Sequence, residues 1–292
     1  NQSEEESILL AVNHAETVEK MTNLVLLMKS KANHDRVFAL NVINESKNES
    51  SVKNAEKILD ESVKIAASSD CSLQPLTRYD NDVVNGIRHV IKEKKVTDLV
   101  IGLAGDKGFS PSFVYNLYNG YLRDENPNVL VYHAVQPIAT IDKQVVVIPP
   151  NAYKEQGFFL LLFRIWNIAK NSKTVLDFYA DAATIAILQR IQKKVNIEAT
   201  YTAISTWNEM EKAARSVQEN EGLIMIMAER GKGFYMPKMQ VVPDMLNNFF
   251  AGKNYLLLFP NDEKQVEDAE KRFVSNHDDF VEIGAVIGRI FK

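Results

Sequence analysis

The residues best placed to do chemistry lie in one glycine-rich run, Gly102-Leu-Ala-Gly105-Asp-Lys107-Gly108-Phe-Ser110-Pro111-Ser112. Glycines let backbone amides close on an anion, and Lys107 adds positive charge. Ser110 ahead of Pro111 has the form of a helix N-cap followed by a proline in the first turn, an end whose free amides attract phosphate. The same glycines would equally serve to turn a strand into a helix and hold nothing. The run has a partner: Leu99-Val-Ile-Gly-Leu-Ala-Gly-Asp-Lys-Gly-Phe109 recurs, one residue longer, as Leu223-Ile-Met-Ile-Met-Ala-Glu-Arg-Gly-Lys-Gly-Phe234. In this second copy Ile226 stands where Gly102 does, and the loop offers Gly231, Lys232 and Gly233. Lys107 and Lys232 match, either as anion ligands or as solvated loop lysines.

Other reactive groups are sparse. His14, His34, His89, His133 and His277 show no metal-ligand spacing. The single Cys71 makes neither an internal disulfide nor a thiolate cluster, which fits a reducing compartment. No serine nucleophile elbow, Walker loop or paired acidic motif is visible. Phe113, Tyr115, Tyr118 and Tyr121 follow the first glycine run, where they would fill a vacated ligand space or make a dimer contact.

The elements that must position these residues alternate strictly. Ser7 to Val12, Arg36 to Ile43, Ser72 to Tyr79, Leu99 to Leu103 and Val129 to His133 have strand character, and helical stripes lie between them. The second half repeats the order with strands at Val145 to Ile148, Val175 to Tyr179, Ile197 to Ile204, Leu223 to Met227 and Tyr255 to Phe259. A helix is expected over 151–171, its apolar Gly157 to Phe163 run packed between sheet and neighbouring domain. The pattern predicts an α/β fold of two tandem, doubly wound, parallel-sheet domains. Their expected extents are residues 1–137 and 141–262, with a linker around Gln136 to Lys143 and a charged-then-apolar tail at 263–292. In such sheets ligands sit beyond the carboxyl ends of the strands, where both glycine loops fall.

Composition narrows the function. The chain has 292 residues, 46% hydrophobic and 25% charged, with a net charge of −4. Residues 1–140 hold 15 Lys and Arg against 19 Asp and Glu, and the remainder balances at 19 against 19. No basic face is implied, which disfavours nucleic acid. The longest apolar run stops at Arg164, far short of the roughly 20 residues of a spanning helix. The chain begins at Asn1 rather than methionine and shows no signal peptide pattern, as expected of a fragment of something longer.

The order of elements, the Ile8-Leu-Leu-Ala-Val-Asn13 opening strand and the glycine loop after the fourth strand resemble the universal stress protein family, here as a tandem pair. More narrowly, the Lys-Gly-Phe loops and the divergent second copy are similar to the cytosolic C-terminal region of bacterial cation/proton (Na+/H+) antiporters. That resemblance implies a non-catalytic regulatory or sensory module with an upstream membrane domain as partner, at the cytoplasmic face of the inner membrane, and homodimerisation. The family level implies an adenine nucleotide, ATP or AMP, held by Asn13, Gly102, Gly105, Lys107, Gly108 and Ser110, with Asn151, Gly231, Lys232 and Gly233 as the second-half counterparts. A free-standing cytosolic nucleotide-binding protein is the alternative. The sequence departs from the family's nucleotide motif, Gly-x2-Gly-x9-Gly followed by Ser or Thr. Tyr115 or Tyr118 stands where the third glycine belongs, and Asn13 replaces the acidic residue that ends the first strand.

Overall fold

A computed structural model describes residues 6–44, 48–103, 125–195 and 197–261. Gly105, Lys107, Gly108, Ser110, the aromatic cluster at 113–121 and the 263–292 tail lie outside the described residues. The first half contributes β1 (Ile8–Ala11), α1 (Ala15–Met28), β2 (Val37–Ile43), α2 (Glu49–Ala67), β3 (Leu73–Tyr79), α3 (Val83–Lys94), β4 (Asp98–Gly102) and β5 (Asn128–His133). The second contributes β6 (Lys143–Val147), α4 (Gly157–Ser172), β7 (Val175–Ala180), α5 (Ala182–Gln192), β8 (Ala199–Ala203), α6 (Trp207–Arg215), β9 (Glu221–Ile226), α7 (Val242–Phe249) and β10 (Asn254–Phe259). The expected helix over 151–171 begins only at Gly157. Asn151 takes a left-handed backbone (φ 67°) and Glu155 an extended one (ψ 134°), so the chain makes only a short 3-10 turn at Ala152–Lys154 before the helix starts.

The ten strands of the described residues join one sheet in the order β3-β2-β1-β4-β5-β10-β9-β6-β7-β8. Every neighbouring pair is parallel except β5 with β10, which meet antiparallel with Val129 opposite Phe259 and His133 opposite Tyr255. The order within β6–β10 therefore repeats that within β1–β5, and the halves stand back to back across the seam. The two doubly wound units expected from the sequence thus meet edge to edge in a single sheet. The seam strands NVLVYH and NYLLLF are buried at every residue, as parallel-type strands covered on both faces should be.

Two asparagines pin the seam. Asn128, opening β5, accepts the backbone N–H of Asn261 just past β10 at 2.9 Å. Asn254, opening β10, accepts those of Val135 and Gln136 just past β5 at 2.8 and 3.2 Å, and donates to the Gln136 carbonyl at 2.8 Å. Each strand start thus satisfies the backbone that its partner strand releases. Gly157 is required nearby for space: a Cβ there would lie 2.5 Å from the Asn261 nitrogen and 2.6 Å from Asn128 Oδ1.

Alternation along β1 separates two cores. Ile8 and Leu10 join the large cluster under α1 and α2, which continues through Phe158, Ile165 and Trp166 of α4 into the second half. Leu9 faces the other way, into a small cluster with Phe38, Leu40, Ile87 and Val90 beneath α3. One core thus spans both halves.

Candidate functional site

The start of α1 and the carboxyl ends of β4 and β5 form a crevice of about 230 Å3. Its walls include Glu16, Thr17 and Lys20 from the first turns of α1, Leu103 after β4, His133 at the end of β5, and Ala251 just ahead of β10. The second half thus closes a site built mainly by the first. His133 is held there by stacking on Tyr255, with ring centroids 4.8 Å apart. Tyr132 also lines the crevice, and burial pushes its hydroxyl well above the usual tyrosine range. The charged lining is mixed, one carboxylate beside one ammonium, which suits a small polar molecule better than a polyphosphate.

Gly102 ends β4 at the edge of this crevice, yet it faces α1. A Cβ on Gly102 would overlap the Met21 sulfur and come within 3.0 Å of Met21 Cγ and 3.3 Å of Thr17 Cβ. The glycine thereby brings helix and strand together, and its backbone is not in the left-handed region. Asn13 is half-buried, and its side-chain oxygen accepts the Val42 N–H at 3.4 Å. Beside it, Asn41 donates to the Val12 carbonyl at 2.8 Å, so the two amides tie the ends of β1 and β2.

The second-half residues lie in a different arrangement. Leu10 pairs with Val100 and Val146 with Ile224, so strand register sets Pro149 level with Asn13 and leaves Asn151 two residues further on. Asn151 is exposed and adopts φ 67°, where it starts the 3-10 turn. Glu229 to Lys232 is a β-turn closed by the Lys232 N–H on the Glu229 carbonyl at 3.2 Å, with Gly231 at φ 85° in its third position. That geometry favours glycine for the turn itself. With the Gln240 amide assigned so that its oxygen faces the guanidinium, that oxygen accepts Arg230 Nε at 2.9 Å and Nη2 at 2.8 Å. Gly233 lies against Glu155, with a Cβ position 3.3 Å from a carboxylate oxygen, a poor setting for an anion.

The strongest electrostatic feature lies at the opposite end of the sheet. Arg164 points from α4 into the boundary between the halves, with its side chain only 4% exposed. Its Nε and Nη2 donate to the two oxygens of Asp98 at 3.2 and 2.6 Å, and Nη1 donates to Glu6. Burial alone would weaken the guanidinium's hold on its proton, but Asp98 and then Glu6 outweigh it and push the pKa up. Thr97 Oγ1 and Asn128 Nδ2 also donate to Asp98, at 2.7 and 3.4 Å.

The same helix face caps α1. Helix α1 carries no basic residue in its last turn, so its final carbonyls need donors from elsewhere. Asn171 donates to the Leu27 carbonyl at 2.7 Å, Asn167 to those of Met28 and Lys29 at 3.0 and 3.3 Å, and Arg164 to that of Met28 at 3.3 Å. One face of α4 therefore fixes the first half by charge and by hydrogen bonds at once. Sequence reading takes Arg164 only as the end of an apolar run. A buried cation at the centre of a helix that is apolar around it is itself the signal of a buried acidic partner.

Among the described residues no helix is long and apolar enough to cross a membrane, and no group of three His, Cys, Asp or Glu is placed to hold a metal ion.

No family model matches the chain, and no curated protein matches it. Solved structures do. A universal stress protein from Archaeoglobus fulgidus DSM 4304 superposes with a TM-score of 0.57 at 14% identity, over 89% of this chain and 98% of that one. The cytoplasmic domain of a prokaryotic cation chloride cotransporter gives 0.57 at 9% identity, over 89% and 97%. A protein of unknown function from Pseudomonas aeruginosa PAO1 gives 0.57 at 12% identity, over 98% of both chains. The chain shares the universal-stress-protein-like, Rossmann-type α/β fold of these neighbours, and at such identities the likeness concerns the fold alone.

Proposed function

We propose that the chain is a non-catalytic regulatory module of a bacterial monovalent cation/proton antiporter, lying at the cytoplasmic face of the membrane. It is built from two universal-stress-protein-like halves in tandem, with the antiporter's membrane domain upstream. The observation that carries this reading is the strand order, in which the second half repeats the first across one antiparallel seam. A pair fused and locked in that way holds a single relative orientation, the property needed to pass a displacement from one end to the other. The cotransporter neighbour supports the choice of partner, since there a fold of this kind is the cytoplasmic domain of an ion transporter.

Regulation works as a population shift: an effector acts only by binding one state of the module more tightly than another. The crevice around Glu16, Lys20 and His133 is where such a molecule would sit, because both halves contribute to its wall. ATP or AMP is not required by this reading. Met21 occupies the space that Gly102 leaves, and Arg230 of the second loop is engaged by Gln240.

The reading frame that encodes the chain tests the proposal. Upstream of the codon for Asn1 it should continue in frame through a series of apolar segments of about 20 residues each, the length that spans a bilayer. An in-frame stop codon and an initiation signal immediately ahead of residue 1 would sink the antiporter reading and leave a free-standing protein.

A further inference from the structure

The carboxylate of Glu6 lies just ahead of β1, where the chain enters the sheet, and it is shared between the two halves. Both of its oxygens accept the Ser30 N–H at 3.1 Å, one accepts Asn33 Nδ2 at 2.7 Å, and the other accepts Arg164 Nη1 from α4. Its side chain is only 10% exposed. Asn33 passes the connection on, because its oxygen accepts the Arg36 N–H at 2.9 Å at the lead-in to β2. Lys29, the neighbouring cation, donates to the carbonyls of Asn33 and Ser30 at 2.8 and 3.3 Å and holds the same turn closed. One side chain thus joins the incoming segment, the turn after α1 and the central helix of the other half.

We propose that Glu6 is a latch that couples the position of the segment entering β1 to the second half through Arg164. Its functional use rests on the regulatory reading above, in which that segment arrives from a membrane domain. Arg164 keeps its paired bonds to Asp98 when Glu6 is lost, so releasing the latch loosens α4 without leaving the guanidinium unpaired. The device therefore has two arrangements, both folded: Arg164 bridging two acids, and Arg164 on Asp98 alone. A displacement at the lead-in to β1 biases one against the other.

Amide hydrogen exchange on the whole chain tests this with Glu6→Gln, which keeps an acceptor oxygen for Ser30 and Asn33 but removes the charge facing Arg164. Exchange is expected to quicken by about tenfold or more both in residues 28–36 and in α4, across the boundary, while β7 and β8 keep wild-type rates. Faster exchange confined to residues 6–12 and 28–36, with α4 unchanged, would overturn the proposal and reduce Glu6 to a local cap. Should Glu6→Gln not fold, Glu6→Asp retains the charge with a shorter reach and is expected to give the same two-site pattern at smaller amplitude. The outcome is separable from the regulatory reading. If no membrane domain precedes the chain the antiporter assignment fails while the latch stands, and if α4 is unmoved the latch fails while that assignment stands.

Discussion

Replacing Arg164 with methionine is expected to lower the stability of the whole chain by about 3–5 kcal/mol, the usual consequence of removing one partner from a buried ion pair. Asp98 is fully buried, and without the arginine it retains only Thr97 and Asn128 as donors. Methionine matches the length of the aliphatic stem, so packing changes little and the loss reports the charge. The two carboxylates would then face each other across an uncompensated gap. Combining Arg164→Met with Asp98→Asn should recover a substantial part of the loss, because no buried charge is then left at the β4 position. Urea unfolding measures the effect with two reporters. Both tryptophans, Trp166 and Trp207, lie in the second half, whereas far-ultraviolet circular dichroism follows both halves. In the wild type the two signals should trace one transition, since a single core and a single sheet cross the boundary. Two separated transitions, or a loss below about 1 kcal/mol in the variant, would show that the ion cluster does not hold the halves together.

Gly102→Ile tests whether the most conspicuous glycine of the first half serves packing or a ligand. The second half carries Ile226 at the equivalent strand position, fully buried, so the strand itself tolerates the side chain. In the first half the space is filled by Met21, which is 1% exposed. The substitution should cost about 1–3 kcal/mol through overpacking. Met21→Ala alone opens a cavity and should cost about 2–5 kcal/mol. Together the two changes exchange volume between helix and strand, and their combined cost should fall below the sum by 1 kcal/mol or more, on the order expected of residues in contact. If Gly102 were kept free for a phosphate instead, its replacement would leave stability unchanged and there would be nothing for Met21→Ala to relieve.

The fold was legible because its periodicities are clean. Alternating apolar strands and striped helices place all ten strands within a few residues, and the repeated Lys-Gly-Phe loops reveal the doubled order. The joining of the halves was not legible, because β5 and β10 look like any other covered strand and nothing local states that they pair with each other. Local signals also misplace the start of α4: the apolar stripe says helix from residue 151, while the left-handed Asn151 and the extended Glu155 delay it to Gly157. The site shows the same division. Gly102 has the spacing of an anion loop, but its role depends on Met21, 81 positions earlier in the sequence and in contact only once the chain is folded. Gly231 is a turn glycine and Arg230 is engaged by Gln240, facts of backbone angle and of tertiary contact that residue type does not carry. Arg164, Asp98 and Glu6 come from three distant segments, and their meeting becomes visible only when α4 is laid against α1.

Regulation of an attached antiporter by this chain is read out by cation-driven proton movement in everted membrane vesicles. The full-length protein would be compared with one lacking residues 6–261. Removal of the module is expected to leave exchange intact while shifting its half-activating cation concentration or its pH dependence by about fivefold or more, the range of ordinary allosteric coupling. Identical exchange at every cation concentration and pH, with and without the module, would mean that the chain does not regulate transport.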